Sequence, residues 1–433
     1  MRRGAADTST GRDQRAGTPA ERSGRSPSRA GSLATRLADS TLGSALLQFL
    51  NDTVFGVAKV IRRQPILNRI PGEAGSGLIR AVVQFLKNAF RRDLRLGPAE
   101  ELISSDESAV TEEIIEVFRQ NLLRRYSTRK AERGANAKTY GVVRAEFHVL
   151  PGVPDQLAQG VFREPRTYRA WVRVADTGSV ITGDAEHVGV VGMGIKLLDV
   201  PGPKLLDDER NTQDFTVIGV RTFTARDTAG MAKLQTAILK MRPATYFFNP
   251  LHPSRILDFV MQALDSRLLG SPLESQLFSC TAHLHGEGLA VHYSVKPRSG
   301  RRTPVPQIPS DNYLREAMIE TLRHEDVTFD FMVQLQKNPH RQPIEDGSIE
   351  WKESETPFIP VAELRIPRQD FASLAQLDFA EVLSFTPWHS LAEHRPLGGI
   401  NRSRKALYWE MSRLRQQMNG VAHYEPTGDE RFD

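Results

Sequence analysis

Apolar and polar positions alternate with a period of two in three separate stretches. Val143, Ala145, Phe147 and Val149 alternate with Arg144, Glu146 and His148; Ala170, Val172 and Val174 with Trp171 and Arg173; Phe329, Phe331, Val333 and Leu335 with Asp330 and Gln334. This spacing predicts β-strands, because successive side chains on a strand point to opposite faces. In HLHGEGLAVHYSVK, Gly286 and Gly288 flank Glu287 at a predicted hairpin turn. Strands joined by turns and long loops, without regular strand–helix alternation, favour an antiparallel barrel over a doubly wound sheet.

Helical periodicity brackets these strands. Val110, Ile114, Phe118, Leu122 and Tyr126 recur every four residues; Ser108 is the expected cap, Glu112 and Glu113 suit the first turn, and Arg124, Arg125, Arg129 and Lys130 the far end. Near the C-terminus Leu407, Met411, Leu414 and Met418 form one stripe, with Asn401 as the expected cap and Asn419-Gly420 as the stop. Upstream, Leu42–Ile61 is apolar for about a membrane span but contains Asp52 and Lys59, which argues against spanning. Leu78–Leu96 sets Leu78, Val82, Phe85, Leu86 and Ala89 at helical spacing among Arg80, Lys87, Arg91, Arg92 and Arg95. The expectation is that both segments pack on the barrel, as most amphipathic helices serve a core. The alternative is peripheral contact of residues 42–96 with an anionic membrane.

The segments imply a basic tail without structure at 1–38, a helical extension at 39–104, and a main domain at 105–424, with the barrel at about 139–370 and helices at 371–424. Residues 1–40 carry eight arginines against four acids, so +4 of the net charge of +5 lies there. The remaining body is near neutral, which argues against a broad nucleic-acid surface. The tail is rich in Arg, Ser and Gly and poor in large apolar side chains, too few to offset the entropy of ordering. One cysteine, Cys280, excludes an internal disulfide and reads as a buried thiol. With no secretory pattern before Leu42, a cytoplasmic location is expected.

Five ordered segments then resemble catalases: GVFREPRTYRAWVRV, GMGIKLLDVPGPKLL, TQDFTVIGVRTFTARD, TFDFMVQLQ and FTPWHSLAEHRPLGGINRSRK, within roughly Arg133–Gly420. The last is similar to a motif of bacterial catalase-related proteins. The resemblance implies an α+β fold, an antiparallel β-barrel with flanking α-helices and haem b buried beside it. It implies a proximal tyrosine on the iron, assisted by an arginine, and a distal histidine and asparagine that handle peroxide. Carried over by position, it sets Asn136 at the distal histidine, with Tyr140 nearby, and Ile218 at the distal asparagine; Phe385 falls at the proximal tyrosine and Glu381 at the proximal arginine. An amide cannot shuttle a proton near neutral pH, and a phenyl ring cannot bind iron. Arg173 stands where a haem propionate would be met.

Two functions follow from the resemblance. One is a remodelled haem site, with His389 or His394 as iron ligand, acting on peroxide or lipid hydroperoxide. The other is a haem-free binding protein of the same fold, free to oligomerise; without haem, its void has to be filled. His283, His285 and His292 are a third candidate, for a metal. A two-residue hairpin turn puts all three on one face, and a three-residue turn sends His292 to the other. Nucleophile elbows, phosphate loops and dinucleotide fingerprints are absent in usable context.

Overall fold

The computed structural model describes residues 45, 48, 49, 52, 53, 73–91, 93–187 and 189–432. The chain divides into units Met1–Phe49 and Leu50–Asp433, and everything below lies in the second. The expected tail at 1–38 and most of Leu42–Ile61 fall outside the described residues.

Eight antiparallel strands close a barrel: β1 (Thr139–Val149), β2 (Thr167–Asp176), β3 (Val191–Leu197), β4 (Gln213–Ile218), β5 (Leu277–Phe278), β7 (Ala290–Pro297), β8 (Val327–Leu335) and β9 (Ile359–Ile366). β4 pairs with β5, β5 with β7, and β9 returns to β1, so no edge is left among them. A short β6 (His283–Leu284) also pairs with β7; between β5 and β6 the chain turns at Cys280, whose φ is 58°. The Cys280 thiol is buried and donates to the Val220 carbonyl at 2.8 Å, consistent with a structural thiol.

The alternating strands behave as their pattern predicts. Phe147, Phe215, Tyr293 and Phe331 point inward with Phe162, their rings meeting at 4.8–6.1 Å, so the lumen is a filled core. Trp171 and Arg173 face outward on β2 yet are also buried, because α7 (Leu374–Val382) and the segment after it cover that face. A second core joins α2 (Glu107–Arg125), α3 (Thr228–Leu239), α4 (Ala244–Phe247), α5 (Arg255–Asp265) and α8 (Gly399–Asn419) through Ile114, Met231, Leu234, Phe247 and Leu407. A further helix, α6 (Tyr313–His324), packs Leu314, Met318 and Leu322 into the barrel core.

Local signals fixed helix ends only in part. Gly420 stops α8 in the left-handed region at φ 64°, where glycine carries no steric penalty. The two expected caps are corrected. α2 begins one residue before Ser108, and α8 begins at Gly399, leaving Asn401 inside its first turn. Asn401 is buried there and donates to the Ala282 and Leu397 carbonyls at 2.9 and 3.0 Å.

The expectation that Leu78–Leu96 presents its apolar stripe to the core is overturned. The segment forms α1 (Glu73–Phe90), but Val83, Gln84 and Lys87 are the buried positions, whereas Leu78, Val82 and Phe85 are 72, 51 and 70 % exposed.

Candidate functional site

The covered outer face of β1–β4 is where the candidate residues meet. Register places Arg173 opposite Gly194, Gly194 opposite Thr216, and Trp171 and Asp214 on either side of Lys196. These cross-strand neighbours share one face. Asn136, just before β1, lies over Gly192, and its amide donates to the Asp176 carbonyl at 2.7 Å. Phe385 lies over Gly194, where an added Cβ would stand 2.7 Å from the ring. Gly194→Ala is therefore expected to destabilise the protein by about 1–3 kcal/mol in urea unfolding. In a Phe385→Ala background the same change should cost clearly less.

Between these two side chains runs a charged clasp. Glu381, at the end of α7, accepts from Arg133 at 2.6 Å through one carboxylate oxygen and from the Thr139 hydroxyl at 2.7 Å through the other. Arg133 also donates to the carbonyls of Ala380 and Leu383 at 2.7 and 2.6 Å. Arg173 donates to the Asn136 carbonyl at 2.8 Å and the Thr139 hydroxyl at 2.7 Å, and its guanidinium is 3.9 Å from Glu381. Burial opposes ionisation of Glu381, but Arg133, Arg173, the Thr139 hydroxyl and Arg415 outweigh it and hold the carboxyl at about 2.

On the resemblance, a porphyrin would lie between Asn136 on one side and Phe385 with Glu381 on the other. A flat macrocycle needs about 7 Å between the groups facing its two sides, twice the ~3.5 Å contact distance of carbon. Here Arg133 and Thr139, which flank Asn136 in sequence, are hydrogen-bonded directly to Glu381, and Phe385 rests on the strand backbone at Gly194. The residues present do not fit haem b in this arrangement. Arg173, the expected propionate contact, has its guanidinium committed to Asn136 and Thr139.

The remaining candidates lie elsewhere. The Tyr140 ring is fully buried in the barrel core, where burial, then Asp184 and Asp176, push its phenol well above the usual value. It is no stand-in base. Ile218 pairs with Gly192 but packs beside Val190, Val220, Phe278 and Cys280. His394 lies at the barrel interior against Phe162 and Phe215. Its Nε2 accepts from the Val161 amide at 3.0 Å; burial keeps the ring neutral, so Nδ1 carries the proton and donates to the Tyr293 oxygen at 3.3 Å. Both of its nitrogens are thus hydrogen-bonded within the protein.

His389 is engaged differently. Its Nδ1 is 3.0 Å from Asp214 and its Nε2 3.1 Å from Asp208, so both nitrogens donate to carboxylates. Burial and the neighbouring Lys196 ammonium oppose protonation, but Asp208, Asp214 and Glu209 raise its pKa to about 9. Both ring nitrogens are thus engaged by carboxylates in this arrangement. Lys196 is wholly buried beneath it, 0 % exposed, and donates to Glu209 and, at 3.0 Å, to Asp214. It also lies 5.4 Å from the centre of the Phe385 ring. Ligand atoms of Glu209, Asp214 and His389 lie within 4.8 Å of one another, a spacing open to a metal ion. The Lys196 ammonium offsets one of those two carboxylate charges and His389 contacts both groups, while Glu209 Oε1 is buried without a hydrogen-bond partner among the described residues.

The hairpin between β6 and β7 has three residues in its loop, because the His285 amide bonds to the Leu289 carbonyl. His292 consequently leaves the face of His283 and His285 and stacks on Trp351 at 3.9 Å. The proposed trio is not assembled.

Sequence reasoning missed Lys196, Glu209, Asp214 and Asp208. The available signal was one lysine inside the apolar run GMGIKLLDV, which a strand buried on both faces leaves without water.

No family model matches the sequence, and no curated protein matches it. Among solved structures, catalase A from Saccharomyces cerevisiae is similar at 12 % identity and TM-score 0.53, covering 79 % of this chain and 72 % of that one. A fungal catalase matches at 14 % identity and TM-score 0.49, covering 76 % of this chain and 67 % of that one. A bacterial catalase, also at 14 % and 0.49, covers 79 % of this chain, which spans 66 % of it. The fold is therefore catalase-like: an antiparallel β-barrel with flanking helices.

Proposed function

We propose that this catalase-fold chain works without haem, as a binding protein and not as an enzyme that decomposes peroxide. The observation carrying the reading is the Glu381 clasp: one carboxylate bridges Arg133 and Thr139, across the gap a porphyrin would need. A haem-sized void inside a protein would cost several kcal/mol, and the bulk of Phe385 alone would not fill it. With α7 held on the barrel by this clasp, no added bulk is needed there. The two histidines that could replace a tyrosine ligand each spend both nitrogens on protein partners.

Absorption spectroscopy of the purified full-length chain titrated with haemin tests this. The expected result is no saturable Soret band at one haemin per chain and no peroxide decomposition above that of free haemin. A stoichiometric band that shifts in His389→Ala or His394→Ala would establish a remodelled haem site in place of this reading, and turnover of peroxide or lipid hydroperoxide by that complex would then give its substrate class.

A further inference from the structure

Helix α1 is mounted with its polar side inward. Lys87 donates to Asp258 of α5 at 2.6 Å and to the Ser348 carbonyl; Arg80 pairs with Asp265 and, at 3.2 Å, with Glu350; Gln84 accepts from the Glu350 amide at 3.3 Å. These groups recur at i, i+4 and i+7 and define one face. The opposite face carries Leu78, Ile79, Val82, Phe85 and Leu86, all exposed. A single exposed leucine means nothing, but five large apolar side chains on one helical face form a contiguous patch, and such patches mark surfaces with a partner. Rolling the helix over would part Lys87 from Asp258 and Arg80 from Asp265 and Glu350, leaving those carboxylates unpaired, so the fold itself holds the apolar face out.

We infer that this face of α1 docks on an anionic phospholipid bilayer, lying in the headgroup boundary. Charge decides between occupants. Leu78–Leu96 carries five basic residues against the one acid Asp93; Arg80 and Lys87 are spent on ion pairs and Arg91 donates to the His340 carbonyl without losing its charge, and the exposed Arg95 follows, so the sequence just after the apolar stripe is net positive. An apolar stripe followed by excess positive charge suits anionic lipid, where each cation near the surface adds attraction. A second copy of the chain would bring like charge against like. No helix among the described residues is long and apolar enough to cross a membrane, so the helix lies on the surface.

Vesicle co-sedimentation of the full-length chain tests the inference, using phosphatidylcholine vesicles with and without phosphatidylserine. Wild type is expected to sediment with phosphatidylserine-containing vesicles, less so at high salt, and weakly with phosphatidylcholine alone. The double variant Val82→Glu/Phe85→Glu should lower the bound fraction roughly tenfold or more, while its thermal transition and solution mass match wild type. No sedimentation of wild type, or equal sedimentation of the variant, overturns the inference. A changed thermal transition in the free variant also overturns it, because the face would then be covered by another part of this chain. A mass that falls from dimer to monomer would assign the face to a second copy instead. None of these outcomes depends on whether haem binds.

Discussion

Glu381→Ala is expected to cost about 3–5 kcal/mol of unfolding free energy, the range for removing one partner of a buried ion pair. The carboxylate is 17 % exposed and is the only anion in contact with Arg133 and Arg173 among the described residues, and the Arg415 guanidinium donates to its backbone carbonyl. Its loss leaves Arg133 and Arg173, which already repel one another, facing an uncharged methyl group. Burial and that repulsion hold the Arg173 pKa down at about 9 even with Glu381 present. Glu381→Gln keeps the shape and one hydrogen bond, so its cost should be smaller, about 1.5–3 kcal/mol. The pH dependence has a definite sign. The folded carboxyl titrates near 2 against an ordinary 4.5, so its contribution is complete above 4.5 and is lost as pH falls towards 2. That displacement corresponds to at most about 3 kcal/mol. Urea unfolding at neutral pH and at pH 3 checks both statements. A Glu381→Ala protein within about 1 kcal/mol of wild type would mean the clasp does not hold α7 against the barrel.

The Lys196 cluster should behave in the opposite pH direction. Lys196→Met leaves Glu209 and Asp214 buried without the ammonium that contacts both, again at a cost of about 3–5 kcal/mol. His389 is stabilised as an imidazolium by Asp208, Asp214 and Glu209, with its pKa raised from 6.5 to about 9. A raised pKa means the contribution is fully present below 6.5 and disappears as pH rises through 9. Wild type should therefore lose up to about 3 kcal/mol over that interval, beyond whatever other groups contribute. In His389→Asn the loss over the same interval should be markedly smaller. Equal alkaline slopes for the two proteins would show that the ring is not charged in the fold.

The two clusters explain how a barrel of this kind holds its outer face closed. A sheet buried on both sides normally reads as continuous apolar sequence. Here β2 and β3 instead carry Arg173 and Lys196, and each requires an anion: Glu381, far along the chain, for one, and Glu209 with Asp214, 13 and 18 residues on, for the other. Phe385 lies between the clusters, against Gly194 on one side and near the Lys196 ammonium on the other. The segment after α7 is thereby pinned by apolar contact and by charge at once.

What the sequence determined by itself is local. The two-residue alternation of Val143–Val149, Ala170–Val174 and Phe329–Leu335 identified strands and their inward faces, because side-chain direction on a strand follows from backbone geometry alone. The stripe of α2 and the glycine stop of α8 were legible for the same reason, and the ordered motifs pointed to the barrel. Tertiary structure alone decided the rest. Which side of α1 faces inward depended on Asp258, Asp265 and Glu350, far along the chain. The fate of His389 and His394 depended on which groups met their nitrogens across the fold, at Asp208, Asp214, Val161 and Tyr293. Local pattern reports the face a residue occupies, whereas protonation, ligation and the closing of a gap are set by partners hundreds of residues away, whose approach only the folded chain specifies.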